Sequence, residues 1–133
     1  MTSKIKYLGN LRTEATHLRS GISIITDAPV DNNGKGEAFS PTDLVATALG
    51  SCMLTIMGIV ARKDNIYIED TTVEVSKIMS KTPRRIDEIR ISFVFRNFLD
   101  EEQRKKLERA ARTCPVSASL HNDVKETIEF NYL

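Results

Sequence analysis

The 133-residue chain reads as α+β, and three segments carry that reading. TTVEVSKIM and IRISFVFRNF alternate apolar and polar residues across a short turn, the pattern of an antiparallel hairpin. LVATALGSCMLTIMGIVA, from Leu44 to Ala61, runs uncharged and describes a helix apolar on nearly all sides. A capped amphipathic helix follows around Leu107. The expected architecture is an antiparallel sheet with two main helices, the central one buried. The length fits one domain, residues 1–133, with a real core.

The first part, from Lys4 to about Asp27, reads as strands: Ala15, His17 and Arg19 alternate, and Ile22, Ile24 and Ile25 follow Gly21. APVDNNGKGEAFSP is a loop by composition, long enough for a functional role. Ser40 as N-cap, Pro41 at the first helical position and Asp43 in the first turn open the apolar helix. It should end near Lys63 or Asp64. In the hairpin, Val73 and Val75 on one strand and Ile89, Ile91, Phe93 and Phe95 on the other point inward; SKTPRR, with Pro83, is the turn. Asp100 caps the second helix with Gln103 at capping-box spacing. Leu107, Ala110, Ala111 and Cys114 fall on its buried stripe. Cys114-Pro115 starts a short third helix, VSASLHN, and TIEFNYL, alternating Ile128, Phe130 and Tyr132, closes the chain as a strand.

Composition narrows the function. Hydrophobic residues make up 41% and charged residues 28%, and 19 Lys and Arg against 18 Asp and Glu leave a net charge of +1. That balance argues against nucleic acid as a partner, which calls for a clear basic excess; a small neutral substrate fits better. MTSKIKYLGNLRTEAT lacks the apolar stretch of a secretory signal, so a cytoplasmic location is expected. Two cysteines there do not make a structural disulfide framework. The Leu44–Ala61 run has the length of a membrane span. Thr47, Gly50, Ser51, Thr55 and Gly58 dilute it, and nothing else in the chain suits a bilayer. A buried helix is the better reading. A monomer this small can scarcely wrap such a helix completely, whereas a homodimer can.

Cys52 sits mid-helix between Ser51 and Met53. Alone, it reads as a packing residue, since free cysteines are among the most buried side chains, and the same holds for Cys114. Together they lie on inward faces of elements that a compact fold brings together, and a reversible disulfide needs Cα atoms within roughly 7 Å. His17 and His121 complete four potential metal ligands. Zinc sites use close ligand pairs, and Cys52 has no near neighbour, so no metal is expected. A cysteine–histidine hydrolase would need an oriented base and an oxyanion hole that the sequence does not signal.

SPTDLVATALGSCMLTIMGIVARK resembles the first signature of the OsmC/Ohr (osmotically inducible protein C / organic hydroperoxide resistance) family: a proline-led helix opening, small apolar residues, then a cysteine within the helix. LERAARTCPVSASL resembles the second, a cysteine-proline-valine-serine run after an amphipathic helix. The order of elements matches along essentially the whole chain. The resemblance implies an OsmC-like fold in an intertwined homodimer and a thiol peroxidase acting on a small organic hydroperoxide. Cys52 would attack the distal oxygen and become a sulfenic acid, and Cys114 would resolve it to a disulfide. An external dithiol reductant would restore the pair, with no cofactor. Met53, Leu54 and Met57 suit an organic substrate, though they are equally plain core.

A thiol in apolar surroundings needs a cation to ionise near neutral pH. The family supplies an arginine from the N-terminal strands and a carboxylate that holds it. Arg19 stands where that arginine would fall, with Arg12 as the fallback. Where the best-known branches place a glutamate directly after the helix-opening proline, this chain has Thr42. Asp43, one step later, is the candidate carboxylate as well as a partner for the helix dipole. Thr42 and Cys52 lie roughly 15 Å apart along one helix, so a group at the helix start would reach a Cys52 only across a subunit boundary. A second reading stays open: an OsmC-like binding or redox-sensing protein without peroxidase turnover.

Overall fold

Left-handed turn residues set the N-terminal sheet. Asn10 and Leu11, at φ 54° and 62°, form a two-residue turn whose hand matches the sheet twist. It joins β1 (Ser3–Gly9) to β2 (Arg12–His17), and β3 (Ser23–Asp27) pairs with the other edge of β2. All three strands are antiparallel. The computed structural model describes all 133 residues, which divide into two compact units, Met1–Val45 and Ala46–Leu133.

In the first unit the loop after β3 folds back on itself through backbone bonds from Gly34 N–H to Pro29 C=O and from Gly36 N–H to Ala28 C=O. A Cβ at residue 34 would sit 1.6 Å from the Ala28 carbonyl oxygen, so only glycine fits there. The loop ends at Ser40. Its Oγ accepts from the Asp43 N–H at 3.1 Å, and Asp43 Oδ2 accepts from the Ser40 N–H at 2.9 Å. This reciprocal capping box starts α1 (Pro41–Lys63) at the expected residue.

The second unit is built on the rest of α1. Ala46, Leu49, Gly50, Met53, Met57 and Ala61 are buried, the i, i+3, i+4, i+7 stripe of a helix lying on a sheet. Within one chain the burial is therefore one-sided rather than nearly all-round, and Ile59 on the opposite side stays 61% exposed. One sheet covers one face. By length and composition α1 alone passes for a membrane span, with a mean hydropathy of 2.1, yet its apolar stripe is part of the hydrophobic core. Gly50 lets the helix close on the sheet: a Cβ there would meet Val75 Cγ2 at 2.8 Å and Val73 Cγ1 at 3.3 Å.

That sheet contains β4 (Thr72–Lys81), β5 (Arg84–Phe95) and β6 (Lys125–Tyr132), in that order. The hairpin β4–β5 is antiparallel, as its short connection requires. The expectation of an antiparallel sheet fails at the last strand, because β6 runs parallel to β5. The reason is the connection: a parallel neighbour needs a long crossover, and α2 (Glu101–Ala111) and α3 (Pro115–Ser119) supply it. The parallel register sets Phe130 beside Phe93 and Tyr132 beside Phe95. Their rings stack with centroids 5.2 Å and 5.0 Å apart.

The capping box of α2 forms as expected, with Gln103 N–H donating to Asp100 Oδ1 at 2.8 Å and Asp100 N–H to Gln103 Oε1 at 3.0 Å. Leu107 and Ala111 bury its inner face. The Tyr132 hydroxyl donates to Glu108 Oε1 at 2.6 Å, tying α2 to β6. Burial first and the neighbouring carboxylate second push the tyrosine's pKa up.

Candidate thiol site

Cys114 is placed by the proline after it. Residues before proline avoid the helical region, and Cys114 is extended, at φ −60° and ψ 129°, as the N-cap of α3. The Thr113 N–H bonds back to the Ala110 carbonyl and ends the preceding helix. This corner drops the cysteine from the inner stripe of α2 into the core, where it is 1% exposed. Cys52 rides on α1 beside the buried Met53 and is half-buried. Both thiols are free, and the Cys114 S–H donates to the Cys52 sulfur. The two residues expected to meet do meet.

Burial pushes the Cys114 thiol's pKa up, and the hydrogen bond to Cys52 adds to this; the Ser117 and Val116 N–H groups pull less strongly the other way. Cys114 thus keeps its proton at neutral pH, which makes it a poor first nucleophile. The folded chain holds that proton more tightly than the unfolded chain. The resulting stability is fully present below the ordinary thiol pKa and is lost as pH rises through the raised value. The more accessible residue is Cys52, with a second thiol interacting with it. Such a pair can take up one oxidising equivalent at Cys52 and close to a disulfide.

The other candidates lie in the first unit. Asp43 is the capping partner of Ser40. The alternation places Arg19 on a strand, but β2 stops at His17, where Gly21 N–H and His17 C=O close a turn at 2.8 Å. With Gly21 at φ 76°, that turn leaves Arg19 exposed. Arg12, on β2, faces two carboxylates, with Nε 3.7 Å from Asp27 Oδ2 and Nη2 3.7 Å from Glu37 Oε2. The Asp27 side chain is fully buried, and its Oδ2 also accepts from the Glu37 N–H at 3.0 Å.

Neither Asp27 nor Glu37 stood out in the sequence. The available signal was an acid closing the apolar run Ile24-Ile25-Thr26, where a carboxylate is costly unless partnered. His17 bonds Ser20 Oγ through Nδ1 at 2.7 Å, and His121 lies 3.6 Å from Asp123 Oδ2. Along α1, Leu54, Thr55 and Ile59 line a cleft of about 820 Å³ that reaches Tyr67 and Ile68; Thr55 lies one helical turn beyond Cys52.

Residues 34–129 match the family model described as OsmC-like protein. The chain is similar to a solved structure from Psychrobacter arcticus 273-4, provisionally named an osmotic stress induced and detoxification response protein. The two share 53% identity over 98% of this chain and 96% of that one, with a TM-score of 0.95. Two further structures share the fold at lower identity. One is an organic hydroperoxide resistance protein OsmC of Legionella pneumophila, at 20% identity, 98% and 97% coverage and TM-score 0.73. The other is the organic hydroperoxide resistance protein OhrB of Bacillus subtilis, at 21% identity, 98% coverage of both chains and TM-score 0.69. No curated protein matches the sequence.

Proposed function

The chain belongs to the OsmC-like family, and from that premise we propose that it is a two-cysteine peroxidase that reduces small organic hydroperoxides. The observation that carries the reading is the hydrogen-bonded pair of free thiols, Cys52 and Cys114, in the core of one α+β unit. The Cys52 thiolate attacks the distal oxygen, the O–O bond breaks, and the alcohol leaves with a proton. The sulfenic acid left on Cys52 is attacked by Cys114, which gives up its proton as water departs. An external dithiol then returns two electrons by exchange. The apolar side chains of Leu54 and Ile59 in the neighbouring cleft suit the alkyl part of such a substrate. Stopped-flow mixing of the reduced protein with an alkyl hydroperoxide tests the proposal. One disulfide per chain is expected within the mixing experiment, followed by turnover when dithiol is supplied. Thiols that persist at substrate excess, or a single oxidation without turnover, favour the OsmC-like binding or redox-sensing reading instead.

A cation activates Cys52 in this scheme, and two arginines compete. Arg19 stands at the family position, while Arg12 has the held geometry, with its two carboxylates. Substitution by alanine separates them: the arginine that acts moves the pH profile of Cys52 alkylation to higher pH. Unchanged profiles in both Arg19→Ala and Arg12→Ala remove the cation from the mechanism. Asp43 then serves only its helix cap.

The apolar outer face of α1, with Val45 38% and Ile59 61% exposed, supports an intertwined homodimer. Light scattering should return twice the mass of one chain, and a monomer at micromolar concentration would rule that assembly out. A cytoplasmic location, where thiols are kept reduced, completes the proposal.

A further inference from the structure

The short helix that begins at Cys114 is fixed to the sheet by a polar tie. The Ser117 hydroxyl on α3 lies 2.8 Å from each oxygen of the Glu126 carboxylate on β6 and donates to it. Five residues form too little helix to stand alone. Half-buried Val116 and Leu120 press α3 against the core, but apolar contact is non-directional and fixes depth better than rotation. A hydrogen bond to a carboxylate is directional and of the stronger class. The Ala118 N–H bonds the Cys114 carbonyl at 3.1 Å, so rotation of Ser117 is transmitted directly to the cysteine at the head of the turn. Glu126 is itself set by the sheet, beside Ile89 in the parallel register.

We infer that the Ser117–Glu126 hydrogen bond is a positioning device for disulfide closure, holding Cys114 where it can reach the Cys52 sulfur. Ser117 and Glu126 take no part in the reaction of Cys52 with the oxidant. The inference rests on Cys52 and Cys114 being a redox couple, and it names the residues that set the speed of the couple's second step. Disulfide geometry is narrow, and displacement of a reacting group by an ångström can cost up to a hundredfold in rate. A twist of α3 is therefore felt in closure before it is felt anywhere else.

The test uses the full reduced chain and one equivalent of a chromogenic aryl disulfide. The Cys52 thiolate attacks the reagent, its S–S bond breaks, and a first aryl thiolate leaves. Cys114 then loses its proton to solvent, and its thiolate attacks the Cys52 sulfur and expels the second aryl thiolate. The protein is oxidised and the reagent reduced by two electrons in all. Each release is a separate phase.

Ser117→Ala should slow the second phase about tenfold, the equivalent of losing one charge-assisted hydrogen bond, and leave the first unchanged. Ser117→Thr keeps the hydroxyl and should restore closure. Glu126→Gln keeps a neutral acceptor and should slow closure about threefold. The closure rate of every variant should rise with pH through the same inflection.

Equal slowing of both phases, an undiminished second phase, a Thr variant as slow as Ala, or a loss carried wholly by a shifted inflection would each overturn the inference. Since the oxidant is not a hydroperoxide, two clean phases without hydroperoxide reduction would refute the substrate class and leave the clasp standing.

Discussion

Cys52→Ser should abolish consumption of an alkyl hydroperoxide, whereas Cys114→Ser should consume one equivalent and then stall. The asymmetry follows from environment. Cys114 is 1% exposed, and burial followed by the hydrogen bond to Cys52 raises its pKa. It is thus both the less accessible sulfur and one that ionises with difficulty, the wrong properties for a first nucleophile and tolerable ones for an intramolecular second.

Both substitutions preserve the fold by design. Serine is a favoured N-cap, so Cys114→Ser keeps the start of α3. A serine at residue 52 can bond back to a helical carbonyl at little cost. Stopped-flow consumption with a mass readout separates the outcomes: a stable sulfenic acid, or its trapped adduct, accumulates only in Cys114→Ser. Full turnover by Cys52→Ser would end the mechanism, and full turnover by Cys114→Ser would end the disulfide step alone.

The largest stability effect is expected at Phe93. Its side chain is fully buried; it stacks on Phe130 at 5.2 Å with planes 6° apart and contacts Phe95 at 6.2 Å. Phe93→Ala removes a ring from the centre of the sheet's inner face and leaves a cavity that neighbouring strands cannot close. The expected cost is about 3–5 kcal/mol, a drop of roughly 10–20 °C in Tm for a chain of this size. Phe98→Ala is the control: that ring is 86% exposed, and its loss should change stability by about 0.5 kcal/mol or less. Urea denaturation at unchanged slope reads both. Equal costs at the two positions would mean that the stacked rings do not hold this core together.

Much of the fold was legible because local chemistry and long-range structure agree. The N-cap at Ser40 and the capping box at Asp100 needed only residues three apart. Ile89, Ile91, Phe93 and Phe95 alternate inward as a period of two dictates, each no more than 1% exposed. The parallel placement of β6 was hidden, because alternation at Ile128, Phe130 and Tyr132 is the same for either strand direction. Arg19 falls off the strand for a similar reason: the alternation continues past His17, but the strand ends there in the turn closed at Gly21.

The sequence by itself determined the element order and the two helix starts, and it singled out the two cysteines as the candidate pair. These rest on interactions within a few residues and on motifs that resemble one family. Only the tertiary structure decided that the two thiols interact, that Asp27 and Glu37 flank Arg12 and that Ser117 is tied to Glu126. Each of these pairs depends on strand register and crossover direction, which set the distance between residues far apart in the chain and leave no periodic mark in its composition.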